Sequence, residues 1–170
     1  MTSWIKGALT GAVMAMGTTG VLAQTATTPA TDWSVFTGDN PKECWSVSPP
    51  KQTVNTRDSK PVSVKRSDIL LFVTFRPGQA GGETSFTGGY PFAPGSTVEL
   101  NVDGTKFNMI ADGEWAWASG VDDDAKILAS LQKGASAVLK AHSAKGTNTE
   151  DTFSLRGFTA AATEAASRCK

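Results

Sequence analysis

The chain has 170 residues, 16 Lys+Arg against 16 Asp+Glu, and a formal net charge of zero. A neutral balance gives no electrostatic reason to expect nucleic acid or an acidic membrane surface as a partner. One histidine and two cysteines far apart in sequence serve a zinc site poorly.

The chain opens with Met1 and a single early cation, Lys6, then runs through a weakly apolar, Gly-, Ala- and Thr-rich stretch to Val21-Leu22-Ala23. A basic start, a short apolar region and small residues before a cut describe a secretory signal peptide. The apolar run is too short and too weak for a lasting bilayer span, which needs about 20 strongly apolar residues. Residues 1–23 are therefore read as a signal peptide, 24–32 as a flexible polar lead-in, and 33–170 as one domain. No transmembrane span is expected once the signal is removed. The only cysteines, Cys44 and Cys169, stand near the two ends of that domain. An even count behind a signal peptide favours a disulfide in an oxidising compartment. Two separate buried thiols are the alternative.

Most of the domain reads as short strands parted by Gly, Pro and Asp turns. Residues 33–36 and 43–48 are strand candidates ended by Pro49-Pro50, and 51–64 are polar and irregular. Residues 69–75 are apolar on both faces at first, which suggests a central, covered strand. Alternation in 97–102, followed by Asp103-Gly104, predicts a hairpin with a two-residue turn that pairs Leu100 with Phe107 and Val98 with Met109. At the next turn a three-residue loop, 111–113, would pair Met109 with Trp115 and keep both Trp115 and Trp117 on the apolar face. A two-residue loop at Asp112-Gly113 would instead pair Trp115 with Ile110 and place both tryptophans on the opposite face, because a one-residue slip flips every side chain. The three-residue loop is the expectation, with the tryptophans in the core.

Residues 122–133 read as a helix, with acids in the first turn, Lys133 in the last, Gly134 behind it and a stripe of Ile127, Leu128 and Leu131. Strands are predicted at about 136–142 and 151–155. A terminal alanine-rich helix over 157–168 places Phe158, Ala161, Ala165 and Cys169 on one stripe, so Cys169 faces inward towards Cys44. Antiparallel strands at this spacing point to a mainly β sandwich with two short helices.

Candidates for chemistry are few. His142 and Ser143 are neighbours on a strand and point to opposite faces, and no nucleophile elbow is present. Asp122, Asp123 and Asp124 offer hard oxygens, but their spacing matches no calcium loop, and acids opening a helix suit its dipole. Residues 76–95 carry Arg76, Tyr90 and Phe92 on glycine- and proline-rich backbone, a candidate binding loop. The same aromatics also suit closing one end of a sandwich. No catalytic residue, cofactor or metal is assigned, and the protein is expected not to be an enzyme.

Several stretches resemble the invasion-associated locus B (IalB) family of α-proteobacterial exported proteins. They are Cys44-Trp45 with Ser48-Pro49, then Gly88-Gly89-Tyr90-Pro91-Phe92, Gly113-Glu114-Trp115 and the acid-started helix from Asp122. Asp151-Thr152-Phe153-Ser154-Leu155-Arg156-Gly157-Phe158 and Cys169 complete the set. The resemblance implies an immunoglobulin-like antiparallel β-sandwich and no known enzymatic activity. It also implies a periplasmic location, with outer-membrane association or secretion as alternatives. The founding members are linked to host-cell entry, a role that does not carry over from fold or name. A complete, stapled domain without a catalytic cluster is expected to be a protein-interaction module whose unidentified partner lies in the envelope or on a host cell. A periplasmic small-ligand or carbohydrate binder is the other reading of the aromatics. Protein isolated from the envelope should begin at Gln24 on N-terminal sequencing, whereas a sequence starting at Met1 would refute the predicted cleavage.

Overall fold

The computed structural model describes residues 32–170; the predicted signal peptide and the lead-in before Asp32 lie outside the described residues. In chain order come β1 (Ser34–Asp39), β2 (Lys42–Ser48), β3 (Gln52–Arg57), β4 (Lys60–Pro61), β5 (Leu70–Phe75), β6 (Glu83–Thr87) and β7 (Thr97–Val102). There follow β8 (Thr105–Asp112), β9 (Trp115–Trp117), α1 (Val121–Lys133), β10 (Ser136–His142), β11 (Asn148–Ser154) and α2 (Phe158–Arg168). The expected class is what the chain adopts: mainly β, antiparallel, with two helices close to the predicted spans.

All strands join one antiparallel sheet in the order β1-β2-β5-β6-β9-β8-β7-β10-β11-β3-β4. Phe86 of β6 and Phe153 of β11 stand well apart in that order, yet their ring centroids are 6.1 Å from each other. The sheet therefore curls over until its two halves face one another, as strongly twisted ladders do. The layers of the sandwich are halves of a single ladder, whereas an immunoglobulin sandwich packs two separate sheets. Leu71, Val73, Phe86, Val98, Leu100, Met109, Leu139 and Phe153 fill the space between them, each with no exposed surface.

Helix α2 closes this core with the predicted stripe: Phe158, Ala161, Ala165 and Cys169 are all buried. The indole of Trp33 meets Phe158 edge-on at 4.7 Å, and its Nε1–H donates to the Ser154 carbonyl at 2.9 Å. Cys169 bonds to Cys44 across a sequence separation of 125 residues, with the Cα atoms 5.7 Å apart. Closing so long a loop removes denatured-state freedom worth about 5 kcal/mol in the chain-entropy model.

A buried ion pair fastens the opposite end. Arg66 places Nη1 and Nη2 on the two carboxylate oxygens of Asp151 at 2.8 and 2.6 Å, and the side chains are 5% and 0% exposed. Its Nε donates to the Gly88 carbonyl at 2.8 Å, and its guanidinium lies 4.9 Å from the centre of the Tyr90 ring. The two glycines of this turn have distinct causes. A side chain at Gly88 would run into the Phe92 ring, and one at Gly89, where φ is +71°, would meet the Ser67 backbone at 2.6 Å.

Beyond the single curled sheet, the structure departs from the sequence reading in two further places. Residues 51–64 contain β3 and β4, and the loop material of 76–95 contains β6. These strands lack apolar alternation: β3 lies near one edge of the sheet with mostly polar, exposed side chains, and β6 is rich in Thr and Ser. The second departure is the β8–β9 register. The Asp103-Gly104 turn and the Leu100–Phe107 and Val98–Met109 pairs are as predicted. The next connection, however, is the two-residue turn Gly113-Glu114, pairing Ile110 with Trp117, Ala111 with Ala116 and Asp112 with Trp115. Both tryptophans consequently leave the core. Small inward residues at 111 and 116 leave room beside helix α1, which packs on β6 and β8. The Gly113 carbonyl also accepts from Phe92 N at 2.8 Å, anchoring the turn from outside the hairpin.

Asp151→Asn should lower unfolding free energy by about 3–5 kcal/mol, because it leaves a buried guanidinium without its counter-charge. Lys140→Ala, which removes only the exposed pair with Glu150, should stay within about 0.5 kcal/mol. Urea titration followed by tryptophan emission measures both; equal effects would refute the role given to the buried pair.

Candidate functional site

The outer face of β1, β2, β5, β6, β9 and β8 is built by register. One row across the ladder reads Phe36, Trp45, Thr74, Glu83, each residue paired with the next. The next row reads Val47, Phe72, Ser85, Trp117, Ile110, and a third carries Leu70, Thr87, Trp115 and Asp112. Cross-strand partners share a face, so the aromatics of neighbouring strands come together. Trp115 and Trp117 lie 6.3 Å apart with ring planes 21° from parallel, Phe72 is 5.6 Å from Trp115, and Phe36 stacks on Trp45 at 6.0 Å.

This face is open. Trp115 is 39% and Ile110 54% exposed, and Phe36, Trp45, Phe72 and Trp117 are half-buried. A shallow groove of about 330 Å³ runs over Trp45, Phe72, Trp115 and Trp117. Arg76 lies along it between two acids, with Nε on Glu43 at 2.6 Å and Nη1 on Glu83 at 3.1 Å. Glu43 foremost, then Glu83, pushes the guanidinium further above its ordinary value, so it stays charged. Exposed aromatic side chains grouped on one face of a sheet and edged with charges and hydroxyls make this face the candidate site. The signal that would have found it in the sequence is Gly113-Glu114, a glycine-first pair suited to a two-residue hairpin turn.

The predicted binding-loop residues do not form one site. Arg76 belongs to the outer face. Tyr90 and Phe92 meet each other at 5.2 Å at the far end of the sandwich, where Phe92 is buried against Phe86 and Tyr90 is half-buried with its hydroxyl 2.5 Å from Thr149 Oγ1. His142 is exposed and bonded to Asn148 at 2.8 Å, while Ser143 is buried and accepts from Thr147 N. Of the three acids opening α1, Asp123 pairs with Lys126 and Asp124 accepts from Thr84 N at 2.7 Å, tying the helix to β6. Burial pushes the Asp124 carboxyl up despite that bond. Among the described residues, no three His, Cys, Asp or Glu side chains are placed to hold a metal ion.

A mainly β domain, stapled end to end by one disulfide and carrying an uncovered aromatic face, is the class these features define. The chain belongs to the Invasion associated locus B (IalB) protein family, whose model matches residues 33–166. No curated protein and no solved structure matches it. The envelope association of that family and the Cys44–Cys169 bond are consistent with an exported protein. No helix among the described residues is long and apolar enough to cross a membrane.

Tyr90 is the sole tyrosine, so its ionisation can be followed alone. Burial, the largest influence, raises its pKa, against the opposing pull of Thr149 and Arg66. A raised value in the folded state means the neutral phenol's contribution is complete below the unfolded value of about 10 and is lost as pH climbs through the folded one. Absorbance titration should give a tyrosinate midpoint above that of the unfolded chain, together with loss of near-ultraviolet dichroism. Ionisation at the ordinary value in intact protein would contradict the burial described.

Proposed function

We propose that this protein is an exported, non-enzymatic binding module of the cell envelope, and that its outer aromatic face takes a neutral glycan. The observation carrying the reading is the pair Trp115 and Trp117, stacked side by side outside the core beside Phe72. Sugar rings present an apolar C–H face to an aromatic ring and hydroxyls at their edges. Here the rings are edged by the Glu43–Arg76–Glu83 network and by the hydroxyls of Thr74 and Ser85. The cores of protein–protein interfaces are depleted of charged residues, whereas this groove holds an ionic triad among its rings. One cation against two carboxylates also disfavours an acidic polysaccharide. The non-enzymatic reading is supported by His142, which is exposed while its neighbour Ser143 is buried, and by the two thiols, which are joined to each other.

A protein partner, in the envelope or on a host cell, is the second reading, favoured by the shallowness of the groove and by exposed Ile110 alongside it.

The test is a tryptophan-emission titration with chitohexaose and cellohexaose. Binding of either is expected, weakened roughly thirtyfold by Trp117→Ala or Trp115→Ala, the scale of an aromatic hot spot. If neither oligosaccharide changes the emission, and a photo-cross-linker at position 110 captures an envelope protein, the protein-partner reading replaces this one.

A further inference from the structure

At the far end of the sandwich, between residues 62–66 and the turn that joins β10 to β11, lies a cavity of about 140 Å³. Its uncharged side-chain polar atoms are already partnered. The Tyr90 hydroxyl is held by Thr149, Thr147 Oγ1 accepts from Arg57 at 2.8 Å, and Ser143 Oγ accepts from Thr147 N at 2.9 Å. What remains for an occupant is mainly apolar: the Tyr90 ring, Val64, Pro91 and Ala144. Three exposed cations, Arg57, Lys65 and Lys145, also line it, and no carboxylate does. None of the three makes an ion pair with a described acid, in contrast to Arg66 behind them, which Asp151 neutralises.

An apolar cavity of roughly 150 Å³ accommodates benzene, so this one has room for about one six-membered ring. Cations without counter-charges around such a hollow lower the free energy of an anion placed there, and the hollow itself rewards an apolar body. We propose that the cavity is a binding site for a small organic carboxylate with a compact apolar body. The body lies against Tyr90 and Val64, and the carboxylate faces Lys65, Lys145 and Arg57. The site shares no residue with the outer aromatic face and stands whether or not that face binds glycan.

Isothermal titration of the mature protein with sodium benzoate, against benzamide and sodium acetate at matched ionic strength, tests both halves of the proposal. Benzoate should bind about tenfold more tightly than benzamide, which lacks the charge, and than acetate, which lacks the ring. Lys65→Ala combined with Lys145→Ala should abolish the preference for benzoate over benzamide while leaving the melting temperature of the free protein unchanged, since both side chains are exposed and neither makes a hydrogen bond or ion pair with a described residue. Ala144→Trp, which fills the hollow, should abolish binding of benzoate and benzamide alike. Equal affinity for benzoate and benzamide overturns the proposal, as do heats no larger than those of sodium chloride, or an unchanged preference in the double lysine variant.

Discussion

One ion pair almost shut off from water holds together two parts of this fold that lie 85 residues apart in sequence. Arg66 stands in a segment without regular structure, and Asp151 faces inward from β11 with no exposed surface. An isolated charge in such a place would cost several kcal/mol, so each exists there only because the other does. Through the Nε–H of Arg66 the pair also fixes the Gly88 carbonyl. That sets the path of the turn through Gly89 and Tyr90 and lets Phe92 enter the core. The glycines follow from the same constraint, since a side chain at either would hold the turn away from Ser67 or Phe92.

The disulfide works at the other end and by another means. Arg66 and Asp151 specify an arrangement in the native state, whereas Cys44–Cys169 acts chiefly by narrowing the denatured ensemble. Between them the curled sheet is pinned twice, once where α2 lies on β1 and β2 and once where β11 meets the returning turn. Both candidate sites take their rigidity from these anchors. The outer face rests on strands backed by the stapled helix, and the small cavity is walled by elements that the ion pair draws together.

The placement of the tryptophans shows how the core shapes the surface. Trp33 is spent inside, against Phe158, while Trp45, Trp115 and Trp117 line the outer face. At β9 the inward position belongs to Ala116, which has no exposed surface. Moving the register by one residue would bury two indoles where two alanines now pair, in a layer that α1 already fills. Close packing has no room for that exchange. The exposed aromatic surface thus follows from a core that is complete without it.

Much of this was legible in the residues alone. The helices, the Asp103-Gly104 hairpin, the inward stripe of α2 and the disulfide follow from local rules of periodicity, turn chemistry and cysteine count, each read within a few neighbouring residues or from two marked positions. The strands β3, β4 and β6 were not legible, because polar and Thr/Ser-rich segments pair for the sake of backbone hydrogen bonds that leave no apolar pattern. Nor was the Arg66–Asp151 pair, since nothing in a sequence shows which of its 32 Lys, Arg, Asp and Glu residues will lose contact with water. The choice between Trp115 inside and Trp115 outside turned on one residue of loop length, which the pattern left open. Tertiary structure decided it, through the space that α1 occupies and the hydrogen bond from Phe92 to the Gly113 carbonyl. Local pattern and two marked cysteines were enough for a disulfide-closed β domain of this family; the packing of α1 and the sheet decided which of its faces stays uncovered.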